Sequence, residues 1–138
     1  MTPIALSLLA TVLLMVWMGF FALGSLPLLV LNHDTPLDAR FIRGLFDVYY
    51  KAVMTVGAAG ILTHALAQRT WTTAGMAFVC AVAYLSRRVI LSRMDALRAA
   101  MTPEDAPRIR EFRKLHVTGM VLNFVQMLGI CFILPRVL

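Results

Sequence analysis

Residues 1–32 read MTPIALSLLATVLLMVWMGFFALGSLPLLVLN, and none of them is charged. A helix crosses the hydrocarbon of a bilayer with about 20 apolar residues, within a range of about 17–25. The stretch is therefore long enough to span a membrane on its own. No basic segment precedes it, its apolar run is longer than that of a signal peptide, and no small-x-small cleavage site stands out. It reads as a retained span.

The rest of the chain repeats the pattern. Seventeen uncharged residues separate Lys51 from Arg69, seventeen more separate Arg69 from Arg87, and twenty-one separate Lys114 from Arg136. Four spans are expected, over about 4–31, 48–67, 70–86 and 115–134. Backbone polar groups in lipid must be satisfied internally, so the spans are helices. The expected fold is an all-α, four-helix transmembrane bundle, with residues 1–138 forming a single membrane domain.

Composition agrees. Of 138 residues, 60% are hydrophobic and 14% charged, against about 45–50% and about 25% in soluble domains. The mean hydropathy is +0.80. A soluble domain of this size has too much surface per volume to hide so much apolar area. These values argue against a soluble enzyme, a disordered tail and a nucleic-acid-binding domain, despite a net charge of +6.

The positive charges are unevenly placed. Arg40, Arg43 and Lys51 belong to the first long loop. Arg87, Arg88, Arg93, Arg98, Arg108, Arg110, Arg113 and Lys114 belong to the second. Only Arg69 and Arg136 lie on the other side. Lys and Arg mark the cytoplasmic face, so both long loops are expected in the cytoplasm, facing anionic headgroups. Both termini are then periplasmic, in a bacterial inner membrane.

The long loops carry helical signals of their own. Thr-Pro occurs at 2–3, 35–36 and 102–103. Thr is a good N-cap and Pro suits the first helical position. Helices are expected to start near Pro3, Pro36 and Pro103, with Asp105 as an alternative cap because Pro107 follows. Residues 38–50 place Phe41, Ile42, Leu45, Phe46 and Tyr49 on one helical face, with Arg40, Arg43 and Asp47 opposite. That pattern predicts an amphipathic lead-in to helix two at the interface. Ile90, Met94, Leu97 and Met101 continue helix three at helical spacing, predicting a cytoplasmic extension between helices three and four.

Few side chains suit chemistry. No span has Asp, Glu, Lys or Arg in its interior, and no phosphate loop, zinc spacing or nucleophile elbow is present. Cys80 and Cys131 read as small core hydrophobes at different depths, and Trp17 as a core anchor. His64 lies near the outer end of helix two, about 20 Å of rise from the level of His116, so those two cannot share a haem. His33 ends helix one and His116 opens helix four on the same side. They are the candidate cofactor-binding residues, for a haem or a metal. His116, Gly119, Asn123 and Gln126 recur at steps of three, four and three, giving one polar stripe that must face protein rather than lipid. It can serve as interhelical glue or line a small polar cavity open to the cytoplasm. Gly57 and Gly60 on helix two, with Gly19 on helix one, are the expected sites of close helix packing.

Arg110-Glu111-Phe112-Arg113-Lys114-Leu115-His116, followed by Leu122-Asn123, resembles the Phe-x-x-Leu-His…Asn signature of a family of small four-helix bacterial membrane proteins of unknown function. The same domain occurs in a vertebrate multi-pass transmembrane protein. Arg43-Gly44-Leu45-Phe46 with Tyr49-Tyr50, and Val89-Ile90-Leu91 through Met94-Asp95-Ala96-Leu97-Arg98, match the same style. The chain departs from the family after the His, with Val117 and Gly119 where the family usually has Gly and Ser. A fainter likeness joins Leu26-Pro27 through His33, and Ala52-Val53-Met54-Thr55, to HemJ-type protoporphyrinogen oxidases. Those proteins carry a His early in helix one, which this chain lacks.

Three functions follow from these readings. The first is a non-enzymatic accessory or structural subunit packing against a larger membrane complex or itself. The second is a haem- or metal-linked redox protein using His116. The third is a carrier for a small hydrophobic molecule.

Overall fold

The computed structural model describes residues 1–136, with the side chain of Arg136, counted above among the positive charges, outside the described part. Four long helices make up the chain: α1 (Pro3–Leu28), α2 (Pro36–Leu66), α3 (Thr70–Ala100) and α4 (Ala106–Ile133). All four are long and apolar enough to cross a membrane. A short 3-10 turn, Leu134–Arg136, follows α4.

The starts follow the capping chemistry of the sequence. Thr2 Oγ1 accepts from the Ala5 N–H, and Thr35 Oγ1 accepts from the Asp38 N–H. Each hydroxyl satisfies one backbone donor that the first turn leaves free. The fourth helix takes the alternative cap. Asp105 accepts from the Arg108 N–H and also binds the Arg108 guanidinium. Pro107 has no N–H to give, so it fits only in the first turn. Residues 102–105 form a turn, and Pro103 starts no helix.

The helices run alternately up and down. Across α2 and α3, Gly57 meets Cys80, Gly60 meets Met76 and His64 meets Thr72. Across α1 and α4, Asn123 reaches Met18 and Arg113 reaches Leu29. The neighbours close a ring of α1, α2, α3 and α4, in which α1 also packs on α4 and α3 on α4. Both described ends, residue 1 and residue 136, therefore lie at one end of the bundle. The α1–α2 and α3–α4 turns lie at the other, which is the basic end. Phe21, Phe46, Met18, Val53, Met76 and Phe112 fill the centre. Phe21 stacks on Tyr49 at 4.0 Å and meets Phe46 edge-on at 4.8 Å.

Helices α2 and α3 are each 31 residues long, about 46 Å at about 1.5 Å per residue. The hydrocarbon is about 30 Å thick, so both helices project beyond it. The extension of α3 expected from the sequence is present, with one π turn at Arg87–Leu91 that the periodicity did not show. Such a turn inserts an extra residue into the helix. Here it coincides with Arg87 reaching Asp47 of α2 and with the neighbours Ile90 and Leu91 both being buried.

Two sequence-level expectations change at this level. The amphipathic lead-in is not a separate element but the first turns of α2. Within it Ile42, Phe46 and Tyr49 are buried, whereas Phe41 is 62% exposed. Arg43 and Asp47 do not lie free on a solvent face. Arg43 binds both carboxylate oxygens of Asp95 at 3.0 Å. Asp47 accepts from Lys51 at 2.6 Å and Arg87 at 2.9 Å. These pairs tie the projecting parts of α2 and α3 together. The first span also ends earlier than expected. Helix α1 stops at Leu28, and three backbone bonds three residues apart tighten its exit over Leu29–Leu31.

Glycine governs how closely α2 approaches α3 and α4. A Cβ on Gly119 would overlap the Phe46 ring, and a Cβ on Gly57 would overlap the Cys80 sulfur. At Gly60 the nearest atom would be the Met76 sulfur at 3.3 Å. At Gly19, nothing lies within 4 Å, so no close approach depends on it. Gly119→Ala is expected to lose about 1–3 kcal/mol through overpacking. Gly19→Ala is expected to stay within about 1 kcal/mol of the parent chain. Thermal unfolding in a mild detergent measures both, and equal midpoints for the two variants would contradict the packing described.

Candidate functional site

The polar groups of the interior form three layers along the bundle. The first lies toward the end that holds residues 1 and 136. His64 is fully buried on α2, between Thr11 of α1 and Thr72 of α3. The Thr11 hydroxyl gives its proton to the Ser7 carbonyl at 2.8 Å. It must then accept from His64 Nε2–H, at 3.1 Å. A neutral ring leaves Nδ1 as an acceptor, and the Thr72 hydroxyl lies 2.8 Å from it and 3.0 Å from the Arg69 carbonyl, so its one proton is shared between them. This histidine is a fully bonded tie between three helices.

The second layer is central. Tyr49 donates to Asn123 Oδ1 at 2.8 Å, and Asn123 Nδ2 donates to the Met18 carbonyl at 3.2 Å. Gln126 Nε2 donates to the Val79 carbonyl at 3.3 Å. From α4, these two amides reach all three other helices. Hydrogen bonds between membrane helices contribute about 0.6 kcal/mol each, and up to about 2. The stripe of His116, Gly119, Asn123 and Gln126 is buried throughout. Asn123 and Gln126 are bonded across the bundle and do not line an open cavity.

The third layer, at the basic end, joins the two candidate cofactor residues. His33 sits in the α1–α2 turn, fully buried, with a left-handed backbone at φ 63°. That conformation costs a residue with a Cβ about 1–2 kcal/mol, and strain of this kind persists only where surroundings impose it. Two bonds hold the ring. His33 Nδ1 lies 2.6 Å from the Leu31 carbonyl, and Nε2 lies 3.0 Å from Nδ1 of His116. A carbonyl can only accept, so Nδ1 of His33 carries the proton. Nε2 of the neutral ring then accepts from His116 Nδ1–H. His116 Nε2 is left as a bare lone pair, buried and without a hydrogen-bond partner among the described residues.

Ser25 adds a second orphan. Its hydroxyl is buried and has no partner among the described residues. The Met18–Asn123 and Leu29–Arg113 bonds fix the antiparallel register of α1 and α4. That register sets Ser25 level with His116. A buried lone pair and a buried hydroxyl thus lie at one depth, and no group of three or more His, Cys, Asp or Glu that could hold a metal ion is found among the described residues. An imidazole whose other nitrogen is fixed by an acceptor is oriented as metal-binding histidines are. The Phe46 ring lies 5.7 Å from that of His116, so a macrocycle would need Phe46 to move aside.

The remaining singled-out residues play no part in this layer. Cys80 is half-buried, with its sulfur 3.8 Å from the Met54 carbonyl, and Cys131 is exposed on the outer face rather than in the core. Trp17 is half-buried against Phe20. Sequence reasoning missed Thr11 and Thr72, and read Tyr49 only as part of an apolar helical face and Ser25 only as a small residue for close packing. The available signal was Ser7-x-x-x-Thr11, a polar pair one turn apart in an apolar helix. Its partner, His64, lies 53 residues away.

Burial is the chief cause that lowers the basicity of His33, and the Arg113 guanidinium adds to it. Its ordinary value is 6.5. Above that pH both folded and opened forms are neutral, and the full stability of the turn is present. Below it the opened form binds a proton that the folded form resists, so stability falls until the lowered folded value is reached. The thermal midpoint in detergent is expected to drop between pH 7.5 and pH 5. His33→Asn, whose side chain tolerates the left-handed backbone, should flatten that drop, and an unchanged pH profile would contradict the relay.

No family model matches the chain, and no curated protein or solved structure resembles it at a significant level.

Proposed function

We propose that this chain is a multi-pass protein of the bacterial inner membrane, non-enzymatic, and an accessory subunit that packs against other membrane helices or a second copy of itself. The basic end lies in the cytoplasm and both termini in the periplasm. Eleven of the thirteen Lys and Arg residues belong to the two long loops at that end, which supports this orientation. The Phe112, Leu115, His116 and Asn123 signature supports membership of the small four-helix bacterial family.

The observation that carries the accessory role is the outer surface of α2 and α3. Ala58 and Ala59 on α2, and Ala74, Ala77 and Ala81 on α3, all face outward. Lipid tails are as apolar as leucine, so small side chains gain little there. They do let another helix backbone approach closely. The bonded layers at His64, Asn123 and Gln126 support the same reading, since their polar groups are used in holding helices together.

Cross-linking in native membranes, followed by native mass spectrometry in mild detergent, tests the role. An assembly larger than the single chain is expected. Ala58→Phe with Ala77→Phe should reduce it severalfold without loss of folded protein. A chain that is monomeric in the membrane and captures no other membrane protein would sink the proposal.

The lone pair on His116 Nε2 favours a second reading, a haem- or metal-linked protein. The absorption spectrum of the purified full chain decides it. A Soret band, or a bound metal ion, that disappears in His116→Ala would support this reading over the first.

A further inference from the structure

Five of the basic side chains at the basic end are matched to acids. Arg43 meets Asp95 and Asp47, Lys51 and Arg87 meet Asp47, Arg98 meets Asp95, and Arg108 meets Asp105. Arg40, Arg88 and Arg93 have no carboxylate within ion-pair distance among the described residues, and neither do Arg110, Arg113 and Lys114. These three lie within five residues near the start of α4, and all are exposed. Positions 110, 113, 114, 117, 118, 121, 124 and 125 are neighbours at helical spacing. One stripe of α4 thus runs from Arg110, Arg113 and Lys114, through Val117 and Thr118, to Val121, Phe124 and Val125.

The stripe is concave. A hollow of about 410 Å³ is walled by Arg110, Arg113, Lys114, Val117 and Thr118. A second, of about 320 Å³, is walled by Leu29 from the end of α1 and by Val117, Met120, Val121, Phe124 and Val125. Val117 lines both, so the two hollows are immediate neighbours along α4. The first is basic and the second is wholly apolar. Arg113 also donates to the Leu29 carbonyl at 2.9 Å, which clasps α1 to α4 where the hollows meet. From Val117 to Val125 the helix rises about 12 Å, within the half-thickness of about 15 Å that one leaflet occupies.

We infer that this pair of hollows is a binding site for one anionic phospholipid, its phosphate held by Arg110, Arg113 and Lys114 and one acyl chain lying along Val117, Val121 and Val125. Charge complementarity selects the occupant. Three unmatched cations sit at the polar end of an apolar slot, and a phosphate with a hydrocarbon tail presents the opposite order of chemistries. A basic surface alone would attract anionic lipids diffusely. The slot makes the attraction a site of one, independent of the accessory role proposed above.

The full chain, delipidated in mild detergent, is titrated with phosphatidylglycerol or phosphatidylcholine of identical acyl chains and read by native mass spectrometry. One phosphatidylglycerol is expected to bind with a preference of about tenfold or more, since the cations attract its anionic headgroup and not the zwitterionic one. Arg110→Gln with Lys114→Gln replaces two exposed side chains and should abolish the preference while leaving the melting temperature unchanged. Val121→Trp fills the apolar hollow and should weaken both lipids alike. Inorganic phosphate should not compete, because the tail contributes to binding. Equal binding of the two lipids, a preference that survives Arg110→Gln with Lys114→Gln, or full competition by inorganic phosphate would each overturn the inference.

Discussion

Inside hydrocarbon there is no water to satisfy a polar group, and the fold is organised around that fact. Each backbone amide must be bonded within its own segment, which restricts the spanning elements to helices. The same condition applies to each polar side chain that enters the bundle. Thr11, His64 and Thr72 satisfy one another in one layer, and Tyr49, Asn123, Gln126 and two backbone carbonyls do so in another. Each bond is modest, but a broken one leaves an orphan in a low-dielectric interior. The layers therefore set the register of four helices whose apolar surfaces alone would slide past one another with little preference.

Beyond the hydrocarbon the means of fastening change. The projecting parts of α2 and α3 are joined by charge, with Asp47 and Asp95 each held between basic side chains. Near the same end, the α1–α2 turn is drawn inward by His33, whose strained backbone is held by Leu31 and His116. The turn thus docks on α4 through a neutral relay, while α3 docks on α2 through ion pairs. Against this bonded background four buried side-chain atoms have no hydrogen-bond partner among the described residues, Ser25 Oγ, Tyr50 Oη, Arg87 Nε and His116 Nε2, and of these Ser25 and His116 stand out. Both are level with one another at the basic end, where the interior is nearest to ligands entering from the aqueous phase.

Much of this was legible in the order of residues. Runs without charge located the spans because a charge inside lipid is costly. Thr35, followed by Pro36, placed the start of α2, and the four-then-three spacing of Ile90, Met94 and Leu97 foretold the extension of α3. The stripe from His116 to Gln126 was visible because two amides on one face of an apolar helix need protein partners. Other features were not legible. Gly19 and Gly57 look alike in sequence, yet one faces open space and the other a cysteine. Cys131 and Cys80 are equally apolar residues on spans, and only the packing of neighbours says which is covered. Arg43 and Asp47 read as a solvated face because their partners, Asp95 and Arg87, are 52 and 40 residues away.

What the residues determined by themselves is the solvent. Hydropathy and charge are local properties, and they state which segments lie in lipid, how many cross, and which end is basic. Tertiary structure alone decided which polar atoms meet. Whether His33 touches His116 depends on the direction of a seven-residue turn and on the packing of α1 against α4, and neither is encoded at any fixed spacing. A hydrogen bond forms only within a few tenths of an ångström and a narrow range of angles. Four helices brought together set those distances, and no single helix contains them.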